Sequence, residues 1–222
     1  MIDFFNKLRE TDFKKFKNGK QFEKYIGKLL KECGFRNTKN KNVLNFLQTI
    51  KKDVLNDCLE ELILPQNMRT YNGVFVYEPY GSQSFPDYIL FYDKHIIPLE
   101  IKFSYSTKQP LWNGSLPKEH SIYIFASNKF NDVTYFKGSD VITKSEREFL
   151  NGMWNLLNEY VETIKNKYNF KNAFGFDIYL RKTFMQNKKN NKDAILDYFK
   201  NKKREGLETN VELIFTDPIY PL

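Results

Sequence analysis

The stretch Gly81–Phe103, GSQSFPDYILFYDKHIIPLEIKF, decides the fold. It holds two short apolar runs, Tyr88–Tyr92 and Ile96–Phe103, joined at Asp93-Lys94, which is a β-hairpin signature. With those two residues as the loop, Tyr92 faces His95, and Asp87 stands directly opposite Glu100. Side chains alternate along a strand, so Glu100 and Lys102 share a face from which Ile101 turns away. Directly opposed Cβ atoms lie about 5 Å apart. The open end of the hairpin therefore gathers two carboxylates and one ammonium.

Like charges directly opposite one another destabilise a sheet, so this grouping calls for a compensating charge. A divalent cation between Asp87 and Glu100 supplies one. Mg²⁺ takes one or two carboxylates and completes its octahedron with water and phosphate oxygens. Lys102, beside it, is suited to hold or deprotonate an attacking water and to balance developing charge. Lewis acid, activated water and a clamp on the phosphate are the parts of metal-assisted phosphodiester hydrolysis.

Pro86-Asp87, twelve intervening residues, then Glu100-Ile101-Lys102 resembles the PD-(D/E)xK signature of the restriction-endonuclease-like nuclease superfamily. The runs EPYGSQSFPD, EIKFS, PLWNG, IYIFAS and FKGSDVI, within residues 71–145, also resemble type II restriction endonucleases. The resemblance implies an α/β fold with a restriction-endonuclease-like core, a mixed central β-sheet flanked by helices. It implies Mg²⁺ as cofactor, with Mn²⁺ as a substitute, and cleavage of double-stranded DNA at a short sequence to leave a 5′-phosphate. A cognate DNA methyltransferase is implied on the same ground. One active centre per chain cuts one strand, so a symmetric homodimer and a palindromic target are expected. In related nucleases an acidic residue of the first helix approaches the metal, which makes Glu23 a third acidic candidate. The alternative for Glu23 is a solvated helix charge paired with Lys20.

Composition agrees with a single domain over residues 1–222, its catalytic core near 71–145, helices before it (1–65) and a helix/strand elaboration after it (146–222). With 41% hydrophobic and 17% aromatic residues, a sizeable core is affordable and disorder is excluded. No run reaches the roughly 18 apolar residues of a membrane span, and the N-terminus lacks a signal-peptide core. A cytoplasmic protein without membrane partners is expected. Cys33 and Cys58 read as buried reduced thiols, and two Cys with two His at unrelated spacings do not make a zinc site. The net charge of +8 and pI near 9.2 favour a polyanionic partner. No P-loop, GxSxG or dinucleotide fingerprint is present.

Along the chain, residues 18–33 carry the helical spacing of Phe22, Tyr25, Ile26, Leu29, Leu30 and Cys33, ending at Gly34. Residues 42–62 give a second helical block, stopped by Pro65. Gly73–Tyr77 is a first strand beside the hairpin. The turn before Asp87 brings Ser82 and Gln83, and Gln can pair with an adenine edge. After Lys102, residues 104–118 are rich in hydroxyls and amides. Ser104, Ser106, Lys108, Asn113 and Lys118 are residue types that contact phosphates and base edges, while Trp112 reads as packed. Ser121–Ala126 is a buried central strand and Val133–Phe136 a further one. Thr143 and Glu146 form a capping box that opens a helix to about Lys165. Its apolar set, Phe149 to Ile164, is assigned to the core. Phe174–Leu180 alternates as a half-buried strand, the lysine-rich 181–204 suits either a phosphate-tracking arm or a solvated surface, and Val211–Thr216 closes as a strand. His95 and His120 are placed at the surface.

Three readings remain at this point: a site-specific endonuclease, a structure-selective resolvase or repair nuclease, and a DNA-binding protein without catalysis. The long polar segments 104–118 and 181–204 favour sequence reading over shape reading. Two opposed carboxylates have no task in plain binding.

Overall fold

The computed structural model describes residues 1–56, 63–107, 109–170, 175–178, 180–186 and 197–216. It is an α/β structure built on a mixed six-stranded sheet. The strands are β1 (Arg36–Asn37), β2 (Val74–Tyr77), β3 (Tyr88–Tyr92), β4 (His95–Ser104), β6 (Ile122–Ser127) and β7 (Asp132–Lys137). They lie in the order β1-β2-β3-β4-β6-β7, with β1/β2 and β4/β6 parallel and the remaining neighbours antiparallel. A separate ribbon pairs β5 (Trp112–Asn113) with β8 (Thr183–Phe184). The β3–β4 hairpin has the expected two-residue loop, with Tyr92 opposite His95 and Tyr88 opposite Leu99. Asp93 takes a positive φ of 51° there, the conformation short hairpin loops require and Asp tolerates.

Both sheet faces are covered, which is why the central strands read as continuous apolar runs rather than alternating ones. On one face, α1 (Ile2–Arg9), α2 (Gly19–Glu32) and α6 (Arg204–Ile214) bury Phe4, Phe5, Phe22, Ile26, Val211 and Ile214 against Phe75, Tyr88, Ile97, Ile101, Ile124 and Tyr135. Asn18 caps α2 by accepting from the Gln21 amide, and Gly34 ends it at φ 92°. On the other face, α3 (Lys41–Thr49) and α4 (Lys51–Asn56) set Val43, Leu47 and Val54 against Val74, Val76, Ile89, Phe91 and Ile96. Farther along that face, Trp112, Tyr123, Phe125, Phe136 and Tyr198 form a separate aromatic cluster. Between these two clusters, with Phe85 packed against both, the second face holds a cavity.

The structure changes several expectations. The helical block at 42–62 is two helices, broken at Ile50, and residues 57–62, including Cys58, lie outside the described residues. Cys33 is half-buried rather than buried. His95 is buried, because β4 begins there and Ile63 bridges to it. Val211–Thr216 is not a strand: Val211, Ile214 and Phe215 follow helical spacing and pack on Val133 and Tyr135 of β7, while Leu207, one turn earlier, packs against the aromatic cluster. Residues 175–178 and 180 are not in a strand, and Phe176 and Ile178 are exposed; Phe174 and Tyr179 lie outside the described residues.

Helix α5 (Lys144–Lys167) starts at the expected capping box, with Thr143 Oγ1 accepting from the Glu146 amide at 3.3 Å. Its apolar residues are not core, however. Phe149, Met153, Leu156, Leu157 and Tyr160 are exposed, and Arg147 is the buried residue of the helix. No helix among the described residues is long and apolar enough to cross a membrane.

Candidate active site

Continuing the hairpin register by one pair beyond Tyr88–Leu99 puts Asp87 across from Glu100. The Asp87 backbone N–H donates to Glu100 Oε2 at 3.3 Å, and Asp87 Oδ2 accepts from the Ile101 N–H at 2.8 Å. Lys102 Nζ donates to Glu100 Oε1 at 2.9 Å, and both side chains are largely shielded. The strand alternation is the expected one: Ile101 points into the α2 side of the core while Glu100 and Lys102 face the gap between the two clusters. Glu100 and Lys102 lie beside Tyr123 and Phe125 of the parallel neighbour β6. The peptide bond before Pro86 is cis.

These groups form one end of a cavity of about 330 Å³ lined by Ser82, Gln83, Ser84, Phe85, Asp87, Glu100, Lys102, Trp112, Asn113, Gly114, Ser115, Lys118, Tyr123 and Leu55. Sequence spacing identified the charged end, together with Ser82, Gln83, Asn113 and Lys118. It missed Leu55 and Tyr123, which reach the cavity only through the tertiary fold. Trp112 is buried as expected, edge-on to Tyr123 and donating to Gln186 Oε1 at 3.1 Å. Lys118 is also buried: its backbone N–H donates to Tyr123 Oη at 2.7 Å and its ammonium to the Leu55 carbonyl.

Burial, then the adjacent Glu100 charge, pushes the Asp87 carboxyl up to about 8, against the opposing pull of the Ile101 N–H and Lys102. Asp87 therefore holds a proton near neutrality unless a further positive charge arrives. That is the donor chemistry a hard divalent cation fits: two carboxylates in opposed register, short of one compensating charge, beside room for water and an anionic ligand. Among the described residues no cluster of three or more His, Cys, Asp or Glu side chains is arranged to hold a metal, so any ion here takes most of its ligands from elsewhere.

Of the other sequence candidates, Glu23, Ser104 and Ser106 do not line the cavity. Glu23 sits on α2, which covers the opposite face of the sheet; it accepts from Lys20 Nζ at 2.7 Å and Tyr77 Oη at 2.6 Å. Its charge still contributes to raising Asp87. Ser104 and Ser106 bond to each other, and Ser127 Oγ donates to the Ser106 carbonyl at 3.1 Å, so their hydroxyls close the exit of β4. Lys108 lies outside the described residues. Comparison of the chain with protein-family models, with curated proteins and with solved structures yields no match.

Proposed function

We propose that this chain is a Mg²⁺-dependent endonuclease of the type II restriction kind, with a restriction-endonuclease-like core, hydrolysing double-stranded DNA at a short sequence. The observation that carries the reading is the joint placement of Asp87, Glu100 and Lys102 at one end of a polar cavity. The net charge of +8 suits a polyanionic substrate.

Asp87 and Glu100 would hold Mg²⁺, which supplies Lewis acidity toward a phosphate oxygen and lowers the pKa of bound water. Lys102 orients the attacking water and offers positive charge to the pentacovalent phosphorus. The water oxygen bonds to phosphorus, the bond to the 3′ oxygen breaks, and that oxygen leaves with a proton, giving a 5′-phosphate. Ser82, Gln83 and Asn113, on the cavity wall, are placed to contact the backbone or a base edge.

Digestion of a sequenced plasmid with purified protein, with Mg²⁺ and with EDTA, tests this. Discrete fragments in the Mg²⁺ lane alone are expected. A smear would transfer the chain to structure-selective or repair nucleases. Intact DNA in both lanes, with a retained gel shift, would make it a non-catalytic binding protein.

A further inference from the structure

We propose that α5 pairs antiparallel with α5 of a second copy of this chain, making a two-fold symmetric dimer. The pairing rests on α5 itself and stands whether or not the chain cuts DNA.

At 3.6 residues per turn, Phe149, Met153, Leu156, Leu157, Tyr160, Ile164 and Tyr168 fall within about a third of the helix circumference. All seven are exposed, from 36% at Ile164 to 67% at Phe149 and Leu156. The opposite side of the helix is already engaged. Arg147 donates to the Pro117 carbonyl at 3.1 Å and to Glu119 at 2.7 Å; Asn151 accepts from Lys182 at 2.6 Å; Lys165 pairs with Asp177 at 2.8 Å. The helix is thus fastened to its own domain by polar contacts and turns its apolar stripe outward. A contiguous apolar stripe of this size marks an interaction surface.

The order of residues along the stripe says what covers it. Take the point midway between Leu156 and Leu157 as a two-fold axis. Leu156 then meets Leu157 of the second copy, Met153 meets Tyr160, and Phe149 meets Ile164. One step farther out, Glu146 meets Lys167, and both are exposed at the two ends of the stripe. From Phe149 to Ile164 apolar groups therefore face apolar groups, and each end of that stretch closes on an opposite charge; Tyr168 falls beyond it, opposite Ser145. That is the self-complementarity an isologous contact requires. A parallel pair would instead set Glu146 on Glu146 and Lys167 on Lys167. Antiparallel alignment also opposes the two helix dipoles favourably. Aromatic side chains bury about 150–250 Å² each when covered. Two largely exposed aromatics per copy, Phe149 and Tyr160, with Met153 and the leucines, bring the contact to the order of the 1,000 Å² that a specific interface needs.

Light scattering on the full chain at micromolar concentration should give twice the 26.6 kDa chain mass. Leu157→Glu should return it to one chain mass with an unchanged circular dichroism spectrum. Independently, in a background with Cys33 and Cys58 changed to Ser, a mixture of Met153→Cys and Tyr160→Cys chains should form disulfide-linked dimers at least tenfold faster than either chain alone. A monomeric wild-type chain overturns the proposal, as does a dimer that Leu157→Glu leaves intact. So does cross-linking of the mixture no faster than of the single variants, which also decides the matter should Leu157→Glu fail to fold.

Discussion

The open end of the β3–β4 hairpin and the outer face of α5 break the usual rule of burial in opposite directions. The hairpin end draws two carboxylates and an ammonium out of bulk water, while α5 holds phenylalanine, leucine and tyrosine in it. Each arrangement costs the isolated chain stability. The difference lies in what would relieve it: the hairpin end needs charge, and α5 needs apolar contact. Relief of the two therefore calls for two different kinds of contact.

The sharpest way to break this contrast is to remove the charges. Asp87→Ala, Glu100→Ala and Lys102→Ala are each expected to lower DNA cleavage by about 10²–10⁴-fold, with the circular dichroism spectrum and gel-shift affinity retained. A Lys102→Ala chain that cuts at the wild-type rate would end the assignment of the hairpin as the reactive centre.

Next in size is a change in the cavity wall. A Cβ at Gly138 would lie 1.8 Å from the Lys118 carbonyl oxygen, which is backbone and cannot yield. Gly138→Ala should lower stability by about 1–3 kcal/mol, read from the urea midpoint.

A smaller effect, of opposite sign, follows from Asp87. Its carboxyl is raised to about 8 in the folded chain, against about 3.9 unfolded. The folded state therefore binds more protons between those values, and stability falls as pH rises from about 4 through 8. In EDTA, Asp87→Asn should accordingly stabilise the protein at pH 8.5 by roughly 1–2 kcal/mol while leaving pH 4 stability unchanged. On the proposed function Mg²⁺ would compete with that proton, so the rise in melting temperature on adding Mg²⁺ should be larger at pH 8.5 than at pH 6.5, and lost in Asp87→Asn. Equal shifts at both pH values would mean that the ion binds elsewhere. Smallest of all, Ser104→Ala is expected to change stability by no more than about 0.5 kcal/mol and cleavage by less than twofold, because its hydroxyl is spent on Ser106.

The same contrast separates what the sequence made legible from what it did not. The hairpin could be read because its information is local: two apolar runs, a two-residue loop and strict alternation fix the register, and with it the meeting of Asp87 and Glu100. The capping box at Thr143 and the α2 stripe are local too. Helix α5 was legible as a helix, but its periodicity shows only that one side is apolar, not what that side faces. Val211–Thr216 misled because β-branched residues suggest a strand in isolation, whereas Val211, Ile214 and Phe215 lie at helical spacing and are satisfied by packing with Val133 and Tyr135 of β7. Glu23 has an acidic residue's usual options, and Lys20 and Tyr77 take it up on the far side of the sheet. Leu55 carries no motif and Tyr123 reads only as part of an apolar strand, and only the tertiary fold brings them to the cavity.

The two-residue loop at Asp93-Lys94 also sets a timetable. It brings Asp87 and Glu100 together as soon as the hairpin closes, an event with short sequence separation. The cavity around them waits for Leu55, Trp112, Lys118 and Tyr123 to arrive from distant parts of the chain. During refolding the acid pair is therefore expected to meet before the enclosure forms, and, on the proposed function, recovery of DNA binding should lag behind recovery of hairpin structure.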